Sequence, residues 1–337
     1  MERMKGTIRL ICAALAATLA LSCEKDIRFV GQYDGEKIVM FAVAEPGHPL
    51  VVKLESSNFI LNKEEDSMRG TISDGSVWGK AGDRDITFVK NDSIRGRYDS
   101  SYVPSEGETI ELSASRKGYA TVNASTSVPK APHFRIESCR AETPEDEDSW
   151  YRVHVKVTID DPAGIRNFYS LRMYSVNTVD FGDGPQTITQ RLFLMSDNVL
   201  FYDNTPGIDM IEDVIDGSSE VPDYYDDGIF DGTSYTFEVV FEEYPSMPSY
   251  LLWDYYYASG KEYSYQETEL QSRSYVAELS AVSPEIYKYS LSVTDYNRYD
   301  NGIGYIFGEP VSIFNNVEGG IGCFGGMNTK TVEFDKN

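Results

Sequence analysis

The chain has 337 residues, and its 54 acidic against 30 basic side chains give a net charge of −24. An excess of that size, with no Lys/Arg cluster to offset it, repels polyanions and argues against nucleic acid as a partner. Three histidines leave very few parts for an imidazole-rich metal centre.

Arg3, Lys5 and Arg9 against Glu2 make a positive start, and Leu10–Leu21 is apolar but for Thr18. That run is shorter than the roughly 20 apolar residues a bilayer span takes, and it reads as an export signal. It ends Ala20-Leu21-Ser22-Cys23, a small residue directly before a cysteine. This resembles the lipobox of bacterial lipoproteins, relaxed at Ala20, where Leu is usual. The expected product begins at Cys23, with a diacylglycerol on its thiol and an acyl chain on its amine. Each buried CH₂ contributes about 0.8 kcal/mol to anchorage. The plainer alternative is an ordinary cleaved signal with an incidental cysteine. Loss of residues 1–22 removes three basic and one acidic residue and leaves −26. Of the remaining cysteines, Cys139 and Cys323, the exported compartment permits a bridge. Two buried thiols are the alternative.

Residues 23–36 read as a tether. Lys37–Ala44, Leu50–Glu55, Ile86–Val89, Thr109–Ser115 and Tyr119–Ser125 are strand-like, with Ile110, Leu112 and Ala114 alternating with polar neighbours. Their spacing suits an immunoglobulin-like β-sandwich over 37–130. Val128–Pro132 reads as a stiff linker, and 131–337 as a larger β-rich domain with one or two short helices. There Tyr151–Ile159 alternates most clearly and puts His154 on the polar face. Asp161-Pro162-Ala163-Gly164 fits a type I turn, and Asn167–Val176 returns as a strand, a hairpin-like unit. Ile188–Met195 and Tyr235–Phe241 continue the pattern. Ser283, Pro284 and Glu285 start a helix, with Ile286, Tyr289, Val293 and Tyr296 at helical spacing. A shorter helix is expected at Asp209–Ile215, and Glu142–Asp148 reads as a solvated acidic loop.

Four signatures recur in order: the lipobox; Asp161–Gly164 with Asn167-Phe168-Tyr169; Asp227–Tyr235; and Glu309-Pro310-Val311 leading to Asn315–Gly325. Together they resemble the Bacteroidota lipoprotein family called domain of unknown function 4249, over nearly the whole mature chain. The resemblance implies an outer-membrane lipoprotein commonly encoded beside TonB-dependent receptors, with no activity and no catalytic residues to carry over. Cys323 departs from the family's usual aliphatic residue, which favours a packing role. Glu24 and Asp26, interrupted by Lys25, partly match the surface-export signal of such lipoproteins.

Gly320–Gly325 matches G-x-G-x-x-G, but a dinucleotide site needs a following helix. Close packing or positive φ explains the glycines better. A nucleophile elbow, a zinc-protease motif and a Walker loop are absent. Asp223, Asp226, Asp227 and Asp231 around Gly228 are the candidate metal ligands, for calcium with its six to eight oxygens. A solvated acidic loop is the bland reading, since the EF-hand pattern fails at Tyr225 and Ser234. Tyr250, Trp253, Tyr255, Tyr256 and Tyr257 are the candidate partner or ligand surface; strand packing is the alternative. The expected function is a non-catalytic envelope lipoprotein, held to the membrane through Cys23. It assists a TonB-dependent outer-membrane transporter and faces the cell surface, with the periplasmic face as the other choice. Adhesion is the runner-up and hydrolysis a remote third.

Overall fold

The computed structural model describes residues 35–57, 70–143, 149–180, 184–201, 219–244, 257, 260, 269–301 and 312–336. Glu36–Asn337 form one compact unit, whose fold is mostly β: three sheets and one α-helix among the described residues.

The first eight strands are β1 (Ile38–Ala44), β2 (Val51–Ser56), β3 (Ser76–Ala81), β4 (Arg84–Thr87), β5 (Val89–Lys90), β6 (Arg97–Asp99), β7 (Thr109–Ser115) and β8 (Val122–Ser127). Alternation puts Ile38, Met40, Ala42 and Ala44 of β1 and Ile110, Leu112 and Ala114 of β7 inward, as a pleated strand with one wet face requires. Strands β4, β3, β7 and β8 form a four-stranded sheet, and β1, β2, β6 and β5 are one end of a nine-stranded one. Met40, Leu50, Leu54, Ile110 and Leu112 share their core. The run Ile86–Val89, expected as one strand, is divided between the two sheets.

Next come β9 (His133–Ala141), β10 (Tyr151–Asp160), β11 (Phe168–Asp180), β12 (Pro185–Arg191), β13 (Met195–Ser196), β14 (Ser219–Glu220), β15 (Tyr225–Asp226), β16 (Ser234–Glu243) and β17 (Glu269–Val282). They are followed by helix α1 (Pro284–Asn301) and β18 (Ile321–Phe334). A second core joins Val153, Val155, Val157 and Ile159 of β10 to Tyr169, Leu171 and Met173 of β11. The expected β10–β11 hairpin does not form. β10 lies between β9 and β16 in a five-stranded sheet, whereas β11 lies between β12 and β17 in the nine-stranded one. Alternation fixes which face of a strand is buried, not which strand it joins. Residues 161–167 are therefore a corner between sheets.

One core is built mainly from residues before Val128–Pro132 and the other from residues after it, while the nine-stranded sheet takes strands from both stretches and β18 serves both cores. The first half of β18 pairs in parallel with β1, Val39↔Ile321 to Ala44↔Gly326. Its second half pairs antiparallel with β17, Val282↔Met327 to Tyr275↔Phe334. Phe324, with Val317, joins the first core, and Phe334 packs on the second. The sheet that begins with β1 thus borrows a strand from about 280 residues further along the chain.

All of the glycine string but Gly320 lies inside β18 rather than at a strand-to-helix turn, and close approach explains it. A Cβ on Gly322, at φ +129°, would stand 2.1 Å from Met40 O; on Gly326, 2.3 Å from Ser127 O; on Gly325, 2.2 Å from Ile286 Cγ1 of α1. The helix begins at Pro284 as its residues imply. The Ser283 hydroxyl turns to β18, accepting from Gly326 N at 3.0 Å. Tyr287 stacks on Phe168 at 4.3 Å and Tyr289 meets Phe41 edge-on at 5.8 Å, whereas Tyr296 at the stripe's end is exposed. Cys139 and Cys323 are buried free thiols, not a bridge. Burial pushes them up, to about 11 and about 12 respectively.

Candidate functional site

Charged groups concentrate at two buried places in the second core's lobe. The first is built from the two turns that the sequence singles out. Asp161 follows β10, and Asp227 and Asp231 lie in the turn between β15 and β16. One carboxylate oxygen from each falls within 4.8 Å of the others. Asp161 and Asp227 are buried and Asp231 is exposed. Asp161 accepts from Tyr169 Oη at 2.6 Å and from Gly232 N at 2.9 Å. Asp227 Oδ2 accepts from Asn167 N at 2.7 Å and Nδ2 at 3.2 Å, and Asp231 Oδ1 from Gly164 N at 2.9 Å. Each turn thus ties down the other's backbone. Gly232 at φ +72° leaves room for Ala163, whose Cβ a side chain there would meet at 2.6 Å. Burial raises the Asp227 carboxyl above its ordinary value; the Asn167 bonds oppose that, and the charges of Asp161 and Asp231 add to it.

This is not the ligand set expected for calcium. Asp223 pairs with Arg191 at 2.6 Å. Asp226 pairs with Arg166 at 2.5 Å and accepts from Gly228 N at 2.8 Å. Of the four expected residues, Asp227 and Asp231 come together, and Asp161 joins them from 66 positions upstream. Spacing along one loop could not reveal it, because Asp161 already had a role as the first residue of a turn. Four of the trio's six carboxylate oxygens accept hydrogen bonds within the fold, so calcium's six to eight oxygens would have to come largely from carbonyls and water.

The second place centres on Glu243, the last residue of β16, opposite Tyr151 in register. Its Oε1 accepts from Tyr275 Oη at 2.6 Å and Arg273 Nη1 at 2.8 Å. Its Oε2 accepts from Tyr151 Oη at 2.5 Å and Lys336 Nζ at 2.7 Å. Arg273 also donates to Tyr244 O and Asn177 Oδ1, and Lys336 Nζ lies 5.0 Å from the Tyr151 ring centre. Burial alone would raise the Glu243 carboxyl. Bonds from Lys336, Tyr151 and Tyr275 and the charge of Arg273 outweigh it and hold it below the ordinary value. The signal was present in the sequence: Phe237, Val239 and Phe241 point inward, and the same alternation carries Glu243 inward too.

His154 lies on the polar face, as its place in β10 implies, but only 18 % of its side chain is exposed. Each ring nitrogen sits 2.9 Å from a carboxylate, Glu142 or Glu238. Of the aromatic segment only Tyr257 lies among the described residues, and it is exposed. Tyr250, Trp253, Tyr255, Tyr256, Cys23 and 209–215 lie outside them. No helix among the described residues is long and apolar enough to cross a membrane.

Residues 24–333 match the family described as Domain of unknown function (DUF4249). No curated protein matches the chain.

Proposed function

Since this chain belongs to the DUF4249 family, we propose that it is a lipid-anchored, non-catalytic protein of the cell envelope. Its role is to capture or admit a ligand for a TonB-dependent outer-membrane receptor. The observation that carries the reading is the order of residues 3–23: basic start, short apolar run, then Ser22-Cys23. A lipid on Cys23 confines the body to a membrane plane and raises its effective concentration beside a barrel, so a modest interface suffices. The receptor itself rests on the family resemblance set out above. Glu24 and Asp26 support a cell-surface position.

A non-catalytic reading is supported by how the buried groups are used. The four contacts described for Glu243 go to side chains of this fold, and four of the aspartate trio's six oxygens accept from turn N–H groups or from Tyr169 Oη. The interface is assigned to Tyr250, Trp253, Tyr255, Tyr256 and Tyr257, because aromatic anchors dominate interface energies.

Pull-down of the native protein in mild detergent tests the partner. A β-barrel should co-purify, and loss of Trp253, Tyr255 and Tyr257 in a folded protein should release it. A pull-down without any barrel removes the transporter role and leaves adhesion. Metabolic labelling with a palmitate analogue tests the anchor: Cys23→Ala should carry no label, and label on that variant would refute the lipidation site.

A further inference from the structure

Three buried side-chain atoms among the described residues have no hydrogen-bond partner: Ser170 Oγ, Arg172 Nε and Tyr225 Oη. Folded interiors pair almost all such groups, because burying an unpaired donor costs free energy. Tyr225 lies inside the second core. Ser170 and Arg172 stand together on the other face of β11, two residues apart and so about 7 Å along the strand. That face is opposite the one by which Tyr169, Leu171 and Met173 enter the core.

Across the sheet the same face continues as Ser280 and Glu278 on β17, then Thr329 and Thr331 on β18. None of these takes up the two orphaned hydrogens. Thr329 gives its hydroxyl hydrogen to Glu45 at 2.8 Å, so in the Ser280–Thr329 pair at 2.9 Å the donor is Ser280. Ser170 lies opposite Ser280 without bonding to it. Glu278, opposite Arg172, accepts from Tyr174 instead. One end of the face is closed by Tyr287 of α1, stacked on Phe168. Ser170 and Ser280 are buried, Arg172 and Glu278 half-buried and Thr331 exposed, so the face opens from Ser170 toward Arg172.

We propose that Ser170 and Arg172 bind a carboxylate, Arg172 Nε donating to one oxygen and the Ser170 hydroxyl to the other. An arginine N–H can only donate, so the ligand must bring an acceptor, and a negative one makes the bond charge-assisted. Glu278 and Glu45 repel a second negative charge, which favours a carboxylate over a phosphate. The site belongs to the folded body and rests on neither the anchor nor the receptor.

The test uses the full mature chain with Cys23→Ser, which frees it from membrane, in calorimetric titrations at constant ionic strength. Acetate, and a short peptide with a free C-terminal carboxylate, should bind saturably. Inorganic phosphate, glycerol and the C-terminally amidated peptide should not. Arg172→Gln should weaken acetate binding roughly tenfold or more, since a charge-assisted bond is lost. Ser170→Ala should weaken it roughly three- to tenfold. The same variant should leave the ligand-free melting temperature unchanged or higher, because the hydroxyl it removes bonds to nothing in the fold. A peptide bound far more tightly than acetate assigns a chain terminus as the ligand; acetate bound as tightly as the peptide assigns a free organic acid. Absence of saturable carboxylate binding overturns the proposal, as does binding that phosphate shares, binding indifferent to both substitutions, or a Ser170→Ala chain that melts lower without ligand.

Discussion

Glu243 and Asp227 are both buried carboxylates at turns or strand ends of one lobe, yet Glu243 meets two cations and two phenols whereas Asp227 meets two more carboxylates. Their protonation responds in opposite directions: Glu243 is held below its ordinary value and Asp227 above its own. Burial acts alike on both, and the neighbours decide the sign. Equal burial therefore says nothing about whether a charge stabilises the fold.

Mutation of Glu243 separates the two sites most sharply. Glu243→Gln leaves Arg273 and Lys336 facing a neutral amide. It should cost about 3–5 kcal/mol in urea unfolding, as breaking a buried pair does; a loss under about 1 kcal/mol would show that the cations find other partners. Lys336→Met keeps Arg273 on the carboxylate and should cost less, about 1.5–3 kcal/mol. Asp227→Asn goes the other way. The amide oxygen keeps the Asn167 bonds and one like charge is gone, so unfolding at neutral pH should be harder by a few tenths to about 1 kcal/mol.

Acid titration checks both signs. Glu243, depressed in the fold, contributes stability above its unfolded value, and that is lost as pH falls through its folded value. Asp227, raised in the fold, destabilises above its folded value, and that deficit vanishes as pH falls toward the unfolded one. Wild type should thus fall to meet Glu243→Gln and rise to meet Asp227→Asn. Calcium is the smallest expected effect. With most trio oxygens already engaged, paired melts with calcium and chelator should differ by about 1 °C or less. A shift of several degrees, absent in Asp227→Asn, would turn the trio into a cation site.

Much of this architecture is local in origin and could be read from sequence. Tyr151–Ile159 alternates strictly and is a central strand; Pro284 starts the helix; the periodic strands make the chain mostly β. What could not be read depends on residues far apart. Asp161 reaches Asp227 only because a corner, not a hairpin, follows β10. The glycines of β18 hide its strand pattern because they answer to Met40, Ser127 and Ile286. The Glu243 network gathers residues from β10, β16, β17 and the last residues of the chain. A propensity sees one residue and its neighbours; these features are set by what arrives from elsewhere.

The Ile321–Gly326 half of β18 completes the sheet begun by β1. The first core is complete only when Val317 and Phe324 have joined it. A sequence separation of some 280 residues between paired strands makes that closure a slow, non-local step. Loss of β18 would take a strand from the sheet begun by β1 and Phe324 from the first core, and would remove Phe334 from the packing of the second.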